Sequence, residues 1–516
     1  MKLYKNTIGA VLFVAVLALG GCAKDDSNTD LQPVNQTKLA DPATGSVIVK
    51  FQGDSLKLKP TLSQSMEKRM DELEFKWIYY QNNPTITYAS ERVEVSRDFE
   101  LKTVISGEAF TLGEPYVFRL EVKDKSSGVM SYLNYSVQVG NKYSIGWLAL
   151  VEEGGKGDLS FIFPDYTAEH HVYSSRNTAP LSGPRKLEIS TFPISDEISA
   201  TGKRLYILAD NGSQEYNYLT MVKKFDYSFL FFKAPASINP TVLTWTSQDI
   251  YSGVRSASLG IAINNGKLHS NLVGGFPGVK KWGDIAQNPE KNQNYNLAPF
   301  VVGGKTFPAI VYDNTAKRFY HVQAYNPSPV AGSLEPLPSG STSNVSNPLI
   351  FDMNNVGMTM IFQDSTAVLY DYNAIMRSDD NKAYMLRYKT INTTNAPIIT
   401  LEKVLMDAPG ILNYSAASAS TVTPNLYYAN GNVISRYETS SHTIRETYSL
   451  PAGETVTAMK FARTMAGVQG PRLVLATWNG TVGKVYFFST GSLGQIGSIA
   501  NVTTGFGKIV DLAYKY

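Results

Sequence analysis

The sequence predicts an all-β protein in which an immunoglobulin-like β-sandwich is followed by a β-propeller of about seven blades. Apolar and polar residues alternate with a period of two in many short stretches, which is the pattern of half-buried strands. Turn pairs such as Asn-Gly separate these stretches and recur at intervals of about 50 residues, close to the length of a four-stranded blade. The chain also holds 31 Tyr and 40 Gly in 516 residues, and these residue types favour strands and turns.

The first element has the pattern of a secretory signal peptide, residues 1–21. Two lysines precede an apolar run from Ile8 to Leu19, which is too short for a transmembrane helix of about 18 or more apolar residues. The run ends in Leu-Gly-Gly before Cys22, the only cysteine, and this sequence resembles the lipobox of bacterial lipoprotein precursors. The resemblance implies that Cys22 is lipidated and anchors the protein in the outer membrane. The alternative is a secreted protein whose cysteine falls there by chance.

Residues 22–44 are polar and lack periodicity, so they predict a lipidated flexible tether. Lys24, Asp25 and Asp26 follow the cysteine almost directly and resemble the export signal of surface lipoproteins in Bacteroidota. That resemblance implies that the protein faces the cell exterior. The alternative is a solvated, charged linker without a signal.

Residues 45–140 predict the β-sandwich. Phe75, Trp77 and Tyr79 alternate with other residues as in a half-buried strand. Two further alternating runs, Tyr116–Val122 and Val129–Val139, flank a Gly-containing turn, which predicts a hairpin. A Trp strand in the middle and a Tyr strand near the end fit an immunoglobulin-like sandwich without a disulfide.

Residues 141–516 predict the propeller, because hairpins recur to the end of the chain. We expect them at Trp147–Phe163, Leu205–Leu219, Leu259–Leu272, Ala309–Val322, within 349–388, at Leu426–Tyr437 and at Leu473–Phe488. A ring of such units would protect its sheet edges. The alternative is a large irregular sandwich or barrel.

The stretch Gly146–Gly155, followed by Gly157–Ser160, resembles part of the PKD-like family of surface lipoproteins of Bacteroidota. The segments Gly53–Leu56 and Val122–Asp124 fit the PKD-like module, so the sandwich is also expected to be PKD-like. The resemblance implies an accessory of a SusC/SusD-type nutrient importer. Its partners would be a SusC-like TonB-dependent transporter and a SusD-like lipoprotein. The family carries no catalytic residue over to this chain.

No signature of a catalytic, metal-binding or cofactor-binding site appears in the sequence. The neighbouring His170 and His171, if on a strand, would point to opposite faces, which is poor geometry for one metal. Lys and Arg exceed Asp and Glu by 47 − 44 = 3, so nucleic acid is not expected as a partner. We therefore expect no cofactor, no metal, no catalytic residues and no enzymatic activity, but binding of oligopeptides or glycans or docking on the transporter. The alternative is a propeller-based surface hydrolase or lyase.

The candidate contact surface is the long non-periodic stretch Gly274–Pro299, with Trp282 and Tyr295 as contact residues. Loops of this length are often functional, and an exposed aromatic ring can stack on a sugar or cover a peptide side chain. The alternative is a loop that folds back and buries its Trp.

Overall fold

The computed structural model describes residues 34–515, except 52–53, 67–68, 82–90, 107–108, 192–202, 211–213, 249–256, 274–280, 305–306, 324–331, 339–348, 391–397, 464, 466–467 and 469. The chain divides into two compact units, Met1–Gly140 and Asn141–Tyr516. The described residues form strands and four short 3-10 helices, Pro42–Gly45, Met70–Glu72, Tyr227–Leu230 and Ile411–Asn413. No helix in this part of the chain is long and apolar enough to cross a bilayer.

The first unit contains nine strands in its described residues: β1 (Thr37–Ala40), β2 (Val47–Phe51), β3 (Ser55–Leu58), β4 (Thr61–Gln64), β5 (Leu73–Gln81), β6 (Val93–Ser96), β7 (Leu101–Val104), β8 (Pro115–Asp124) and β9 (Met130–Gly140). Five of them form one sheet in the order β2-β9-β8-β5-β6, and the pairs β3-β7 and β1-β4 form two smaller sheets. The pair β2-β9 is parallel.

The core of the first unit lies between these sheets. Trp77 of β5 is fully buried, and its ring lies 5.7 Å from that of Tyr135 on β9. Leu56 of β3 and Leu101 of β7 close the same core from the other side. The predicted hairpin is present as β8 and β9, paired from Pro115↔Gln138 to Lys123↔Met130. The sandwich prediction for this unit is therefore confirmed.

The second unit contains seven sheets in its described residues. Their strands are, sheet by sheet, β10 (Gly146–Glu153), β11 (Lys156–Ile162), β12 (Ala168–Glu169) and β13 (Leu181–Ser182); β14 (Pro184–Thr191), β15 (Lys203–Ala209), β16 (Gln214–Tyr216) and β17 (Lys223–Phe225); β18 (Pro240–Gln248), β19 (Ala257–Asn264) and β20 (Lys267–Val273); β21 (Val302–Gly304), β22 (Phe307–Asp313), β23 (Arg318–Gln323) and β24 (Ser333–Pro336); β25 (Thr359–Ser365), β26 (Asp371–Arg377), β27 (Ala383–Thr390) and β28 (Ile398–Leu405); β29 (Ala416–Ala419), β30 (Asn425–Asn430), β31 (Val433–Glu438) and β32 (Thr443–Ser449); and β33 (Thr455–Ala462), β34 (Arg472–Trp478), β35 (Gly483–Thr490) and β36 (Ile496–Phe506).

The last strand, β37 (Lys508–Lys515), closes the unit into a ring. It pairs antiparallel with β10, from Gly146↔Lys515 to Glu152↔Lys508, and so becomes the first strand of the first sheet. Neighbouring sheets contact each other through their first strands, with one exception. The first strand of the third sheet, β18, contacts the second strand of the fourth sheet, β22. Ring closure places the first strands of the sheets next to one another at the centre and leaves the fourth strands at the outer edge. The propeller prediction is confirmed.

Packing on both faces of a sheet explains why second strands such as β10, β22 and β34 are almost continuously apolar. On β10, Leu148 and Leu150 pack against the second sheet, whereas Trp147 and Ala149 pack against the seventh. Every predicted hairpin corresponds to the second and third strands of one sheet, and the long one within 349–388 contains β26 and most of β27.

Candidate functional site: an axial pocket

Charged side chains gather where the first strands surround the ring axis. The Nζ atom of Lys460 on β33 lies 3.2 Å from Oδ1 of Asp511 on β37. Asp511 Oδ2 accepts a hydrogen bond from the backbone N–H of Leu187 on β14, at 2.9 Å. Asp511 therefore links three neighbouring first strands, and the Lys460 side chain keeps 38% of its surface exposed.

Further acidic groups lie within electrostatic reach of Lys460. Glu188 on β14 and Asp364 on β25 both act on it, and Asp511 acts most strongly. These carboxylates, Asp511 first, raise the pKa of Lys460 above its ordinary value, so the side chain is an ammonium ion at neutral pH. Glu188 is itself paired with Lys186, at 2.6 Å.

Asp364 is the least compensated member of this group. Its oxygens accept hydrogen bonds from the backbone N–H groups of Ser365, at 2.7 Å, and Ala419, at 3.3 Å. Within the described residues no lysine or arginine forms an ion pair with it, and burial raises its pKa.

A pocket of about 540 Å³ opens beside Lys460, between the seventh and first sheets. We call it the axial pocket. It is lined by Trp147, Thr421, Lys460, Phe461, Ala462, Arg463 and Tyr514. These residues come from the first, sixth and seventh sheets, so ring closure is what brings them together. The volume suits part of a small ligand, for which sites of roughly 300–1,000 Å³ are typical.

The lining combines aromatic faces with hydrogen-bond donors. The rings of Trp147 and Tyr514 lie 5.2 Å apart. Trp147 is 2% exposed, and its indole N–H has no acceptor among the described residues. This nitrogen has almost no exposed surface, so the donors that line the pocket are the side chains of Thr421, Lys460, Arg463 and Tyr514. The pocket can therefore bind, through apolar contact and donated hydrogen bonds, a group that is rich in acceptor oxygens.

The residues predicted to anchor and export the protein lie outside the described residues. These are Cys22, Lys24, Asp25 and Asp26. Their lipidation and signalling roles remain predictions from the sequence.

The expectation that Trp282 is an exposed contact residue is wrong. Its side chain is fully buried among Tyr206, Phe231 and Trp245, with ring centroids 5.3 to 5.8 Å away. Its backbone N–H donates to the carbonyl oxygen of Leu230, at 2.9 Å. The ring fills the space between the second and third sheets, because burial of so large an apolar surface is strongly favourable.

Tyr295 is also a core residue and not a contact residue. Its side chain is 2% exposed. Its hydroxyl donates to the carbonyl oxygen of Ala286, at 2.8 Å, and accepts from the N–H of Leu268, at 3.2 Å. The part of the predicted surface that the structure describes, 281–299, packs along the outer side of the three-stranded third sheet through a bridge between His269 and Ile285.

The motif Gly157–Ser160 has a structural explanation. A Cβ atom on Gly157 would lie 2.9 Å from Cβ of Leu181, so only glycine fits between these strands. Oδ1 of Asp158 accepts hydrogen bonds from the backbone N–H groups of Tyr173, at 3.0 Å, and Ser174, at 3.2 Å. The motif therefore fixes the turn that follows β12.

The histidine pair lies in this turn and not on a strand, which corrects the expectation. His170 and His171 follow β12, and their ring centroids are 6.5 Å apart. His170 Nδ1 lies 3.1 Å from the hydroxyl oxygen of Ser160, and His171 Nδ1 lies 3.3 Å from Oδ2 of Asp158. In the described part of the chain no group of three or more His, Cys, Asp or Glu side chains could hold a metal ion.

Solved structures of similar fold include proteins of several kinds. A quinoprotein alcohol dehydrogenase-like protein from Bacteroides thetaiotaomicron is 12% identical, with a TM-score of 0.38 over 91% of this chain and 96% of that one. The periplasmic gluconolactonase of Pseudomonas aeruginosa is 12% identical, with a TM-score of 0.44 over 72% and 99%. A dihydro-heme d1 dehydrogenase is 11% identical, with a TM-score of 0.41 over 72% and 75%. These likenesses concern the fold alone.

The prediction that the protein is not an enzyme is contradicted by these comparisons. A gluconolactonase and a dehydrogenase are among the proteins of similar fold. The lack of a recognisable motif therefore gives no ground for excluding catalysis, because a propeller can assemble a site from residues that are distant in sequence.

No curated protein sequence matches the chain. One family does match, and the match begins at the predicted lipidation site, covers the rest of the first unit and ends in the first strand of the second sheet. Residues 22–184 of this chain match the PKD-like family.

Proposed function

We propose that the protein is a lipid-anchored outer-membrane protein that faces the cell exterior and serves a SusC/SusD-type nutrient importer. In this proposal its propeller binds oligopeptides or glycans, or docks on the SusC-like TonB-dependent transporter and its SusD-like lipoprotein. The observation that carries the proposal is the axial pocket, which is concave, aromatic and rich in donors. Such a pocket on a rigid closed ring is suited to holding a small polar ligand.

The sequence around Cys22 supports the anchored location, together with the PKD-like match that starts at this residue. Fatty-acid labelling tests the anchor. Cys22→Ser should abolish labelling, because the thiol that receives the lipid is lost, while the wild type is labelled. A labelled Cys22→Ser protein would contradict the anchor.

Protease treatment of whole cells tests the orientation. We expect the wild type to be cleaved from outside, and the combined change of Lys24, Asp25 and Asp26 to Ala to protect the protein while leaving lipidation intact. A control changes Ser27, Asn28 and Thr29 to Ala, which alters the same tether but keeps its charges. Equal cleavage of all three proteins would contradict the export role of Lys24–Asp26.

Affinity purification from detergent-solubilised membranes tests the partnership. A tagged full-length chain should co-purify with a TonB-dependent transporter when the cells grow on the imported nutrient. Purification without any transporter, under conditions where the transporter and its SusD-like lipoprotein stay together, would contradict an importer complex.

A further inference from the structure

We propose that the axial pocket binds a carboxylate group of its ligand, carried by an acidic sugar or by a peptide. This inference rests on the proposed function, since it names the ligand chemistry of the same pocket. It would distinguish carboxylate-bearing nutrients from neutral ones.

The first argument is the charge of the lining. Of the seven residues that line the pocket, Lys460 and Arg463 are cationic and none is acidic. The cleft on the outer side of the first sheet differs, because Glu153 and Asp158 line it beside Lys156 and Arg176. The axial pocket therefore favours an anion more strongly than that cleft does.

The second argument is that one of the two cations is uncompensated. Lys460 already pairs with Asp511, at 3.2 Å, and this contact offsets part of its charge. Arg463 is exposed and forms no ion pair within the described residues. A guanidinium presents a planar set of donors that matches a carboxylate, so Arg463 can bind the ligand without losing another partner.

The third argument is the aromatic wall of the pocket. The half-buried ring of Tyr514 lines the pocket and packs on the buried ring of Trp147, at 5.2 Å. The ring of Tyr514 would cover the apolar face of a sugar ring or of a peptide side chain.

Isothermal titration of the detergent-purified full-length protein tests the proposal. One arm compares a galacturonic acid trisaccharide with its methyl ester, and the other compares a tripeptide that has a free carboxylate with its amide. Arg463→Gln removes the free cation. Arg377→Gln is the matched control, because Arg377 is also an exposed arginine. It is the last residue of β26 and lies next to a turn, at the end of its sheet opposite to that of the pocket. Tyr514→Ala removes the partly exposed ring that lines the pocket.

We expect the acid of one arm to bind at least about tenfold more tightly than its neutral analogue, since charge-assisted hydrogen bonds are the strong ones. Arg463→Gln should remove most of this preference. Tyr514→Ala should weaken the binding of acids and neutral analogues alike, and Arg377→Gln should leave the affinity and the preference unchanged. The arm that binds identifies the source of the carboxylate.

Three results would overturn the proposal. They are equal binding of acids and neutral analogues, an equal effect of Arg463→Gln and Arg377→Gln, and no binding of any of the four probes at millimolar concentration. A failure here leaves the lipidation, orientation and co-purification results unaffected, so it is distinguishable from a failure of the proposed function.

Discussion

Replacing Trp282 should destabilise the propeller instead of weakening ligand binding alone. The side chain is fully buried between the second and third sheets, where it contacts the rings of Tyr206, Phe231 and Trp245. Trp282→Ala would remove these contacts and leave a large cavity, because strands cannot collapse freely around it. Truncations of this kind cost about 3–5 kcal/mol.

That cost can be converted into a melting temperature. For a large domain, 1 kcal/mol corresponds to about 2 °C, so Trp282→Ala should lower the Tm of the propeller by about 6–10 °C. The measurement is thermal unfolding of the full-length protein, followed by near-ultraviolet circular dichroism. Phe229→Ala is the control, because Phe229 is also aromatic and lies in the same region of the chain but is 48% exposed. The Tm of Phe229→Ala should differ from that of the wild type by about 2 °C or less.

An unchanged Tm for Trp282→Ala, combined with weaker ligand binding, would refute this reasoning. It would mean that the ring is accessible and acts as a contact residue. A fall of similar size in both variants would show instead that the region unfolds locally.

Three further predictions concern charge and packing. Burial lowers the pKa of Lys515 to about 7, and the nearby charge of Lys203 contributes to this shift. Between about pH 7 and pH 10.5 the unfolded chain therefore binds the Lys515 proton and the native chain does not. The free energy of unfolding should rise with pH across this window. Lys515→Met should therefore raise the Tm at pH 7, by the equivalent of at most about 5 kcal/mol. A Tm difference between variant and wild type that does not shrink towards pH 10 would contradict the lowered pKa of Lys515. Gly157→Ala should cost about 1–3 kcal/mol in urea unfolding through its clash with Leu181, whereas Gly45→Ala, with nothing within 4 Å, should be close to neutral. Arg204→Leu should cost about 3–5 kcal/mol, because Glu215, 2% exposed, would lose its partner, and a smaller loss than for Gly157→Ala would contradict this.

The middle strands of the propeller could be predicted because they are buried on both faces. Strands such as β10, β22 and β34 are almost entirely apolar and end at tight turns, so they stand out from their surroundings. The first and fourth strands are less regular. The outer strand β32, for example, alternates between exposed and half-buried residues, and short outer strands such as β12 contain only two residues.

The packing of the segment that ends at Pro299 could not be predicted from the sequence, for a related reason. It has no periodicity, since it packs through single bridges and aromatic insertions instead of a regular strand pair. Trp282 therefore has the local sequence pattern of a loop residue but the environment of a core residue. Only the presence of several aromatic residues in a long loop hinted at burial, and the same feature is expected of a binding loop.

The axial pocket could not be predicted from the sequence, because its residues are distant along the chain. Trp147 and Tyr514 belong to paired strands at opposite ends of the second unit, and Lys460 comes from another sheet. No local spacing links them. The pocket forms only because the last strand of the chain pairs with β10.

Accessibility of the axial pocket on living cells tests the central claim most directly. Thr421 lines the pocket and is exposed, so Thr421→Cys introduces the only free thiol if Cys22, the one natural cysteine, is acylated. Thr481→Cys is the control, at an exposed turn at the opposite end of the ring. Both should react with a membrane-impermeant maleimide on intact cells, and the imported nutrient should protect only Thr421→Cys. Labelling of Thr421→Cys only after lysis, or equal labelling with and without nutrient, would contradict the account.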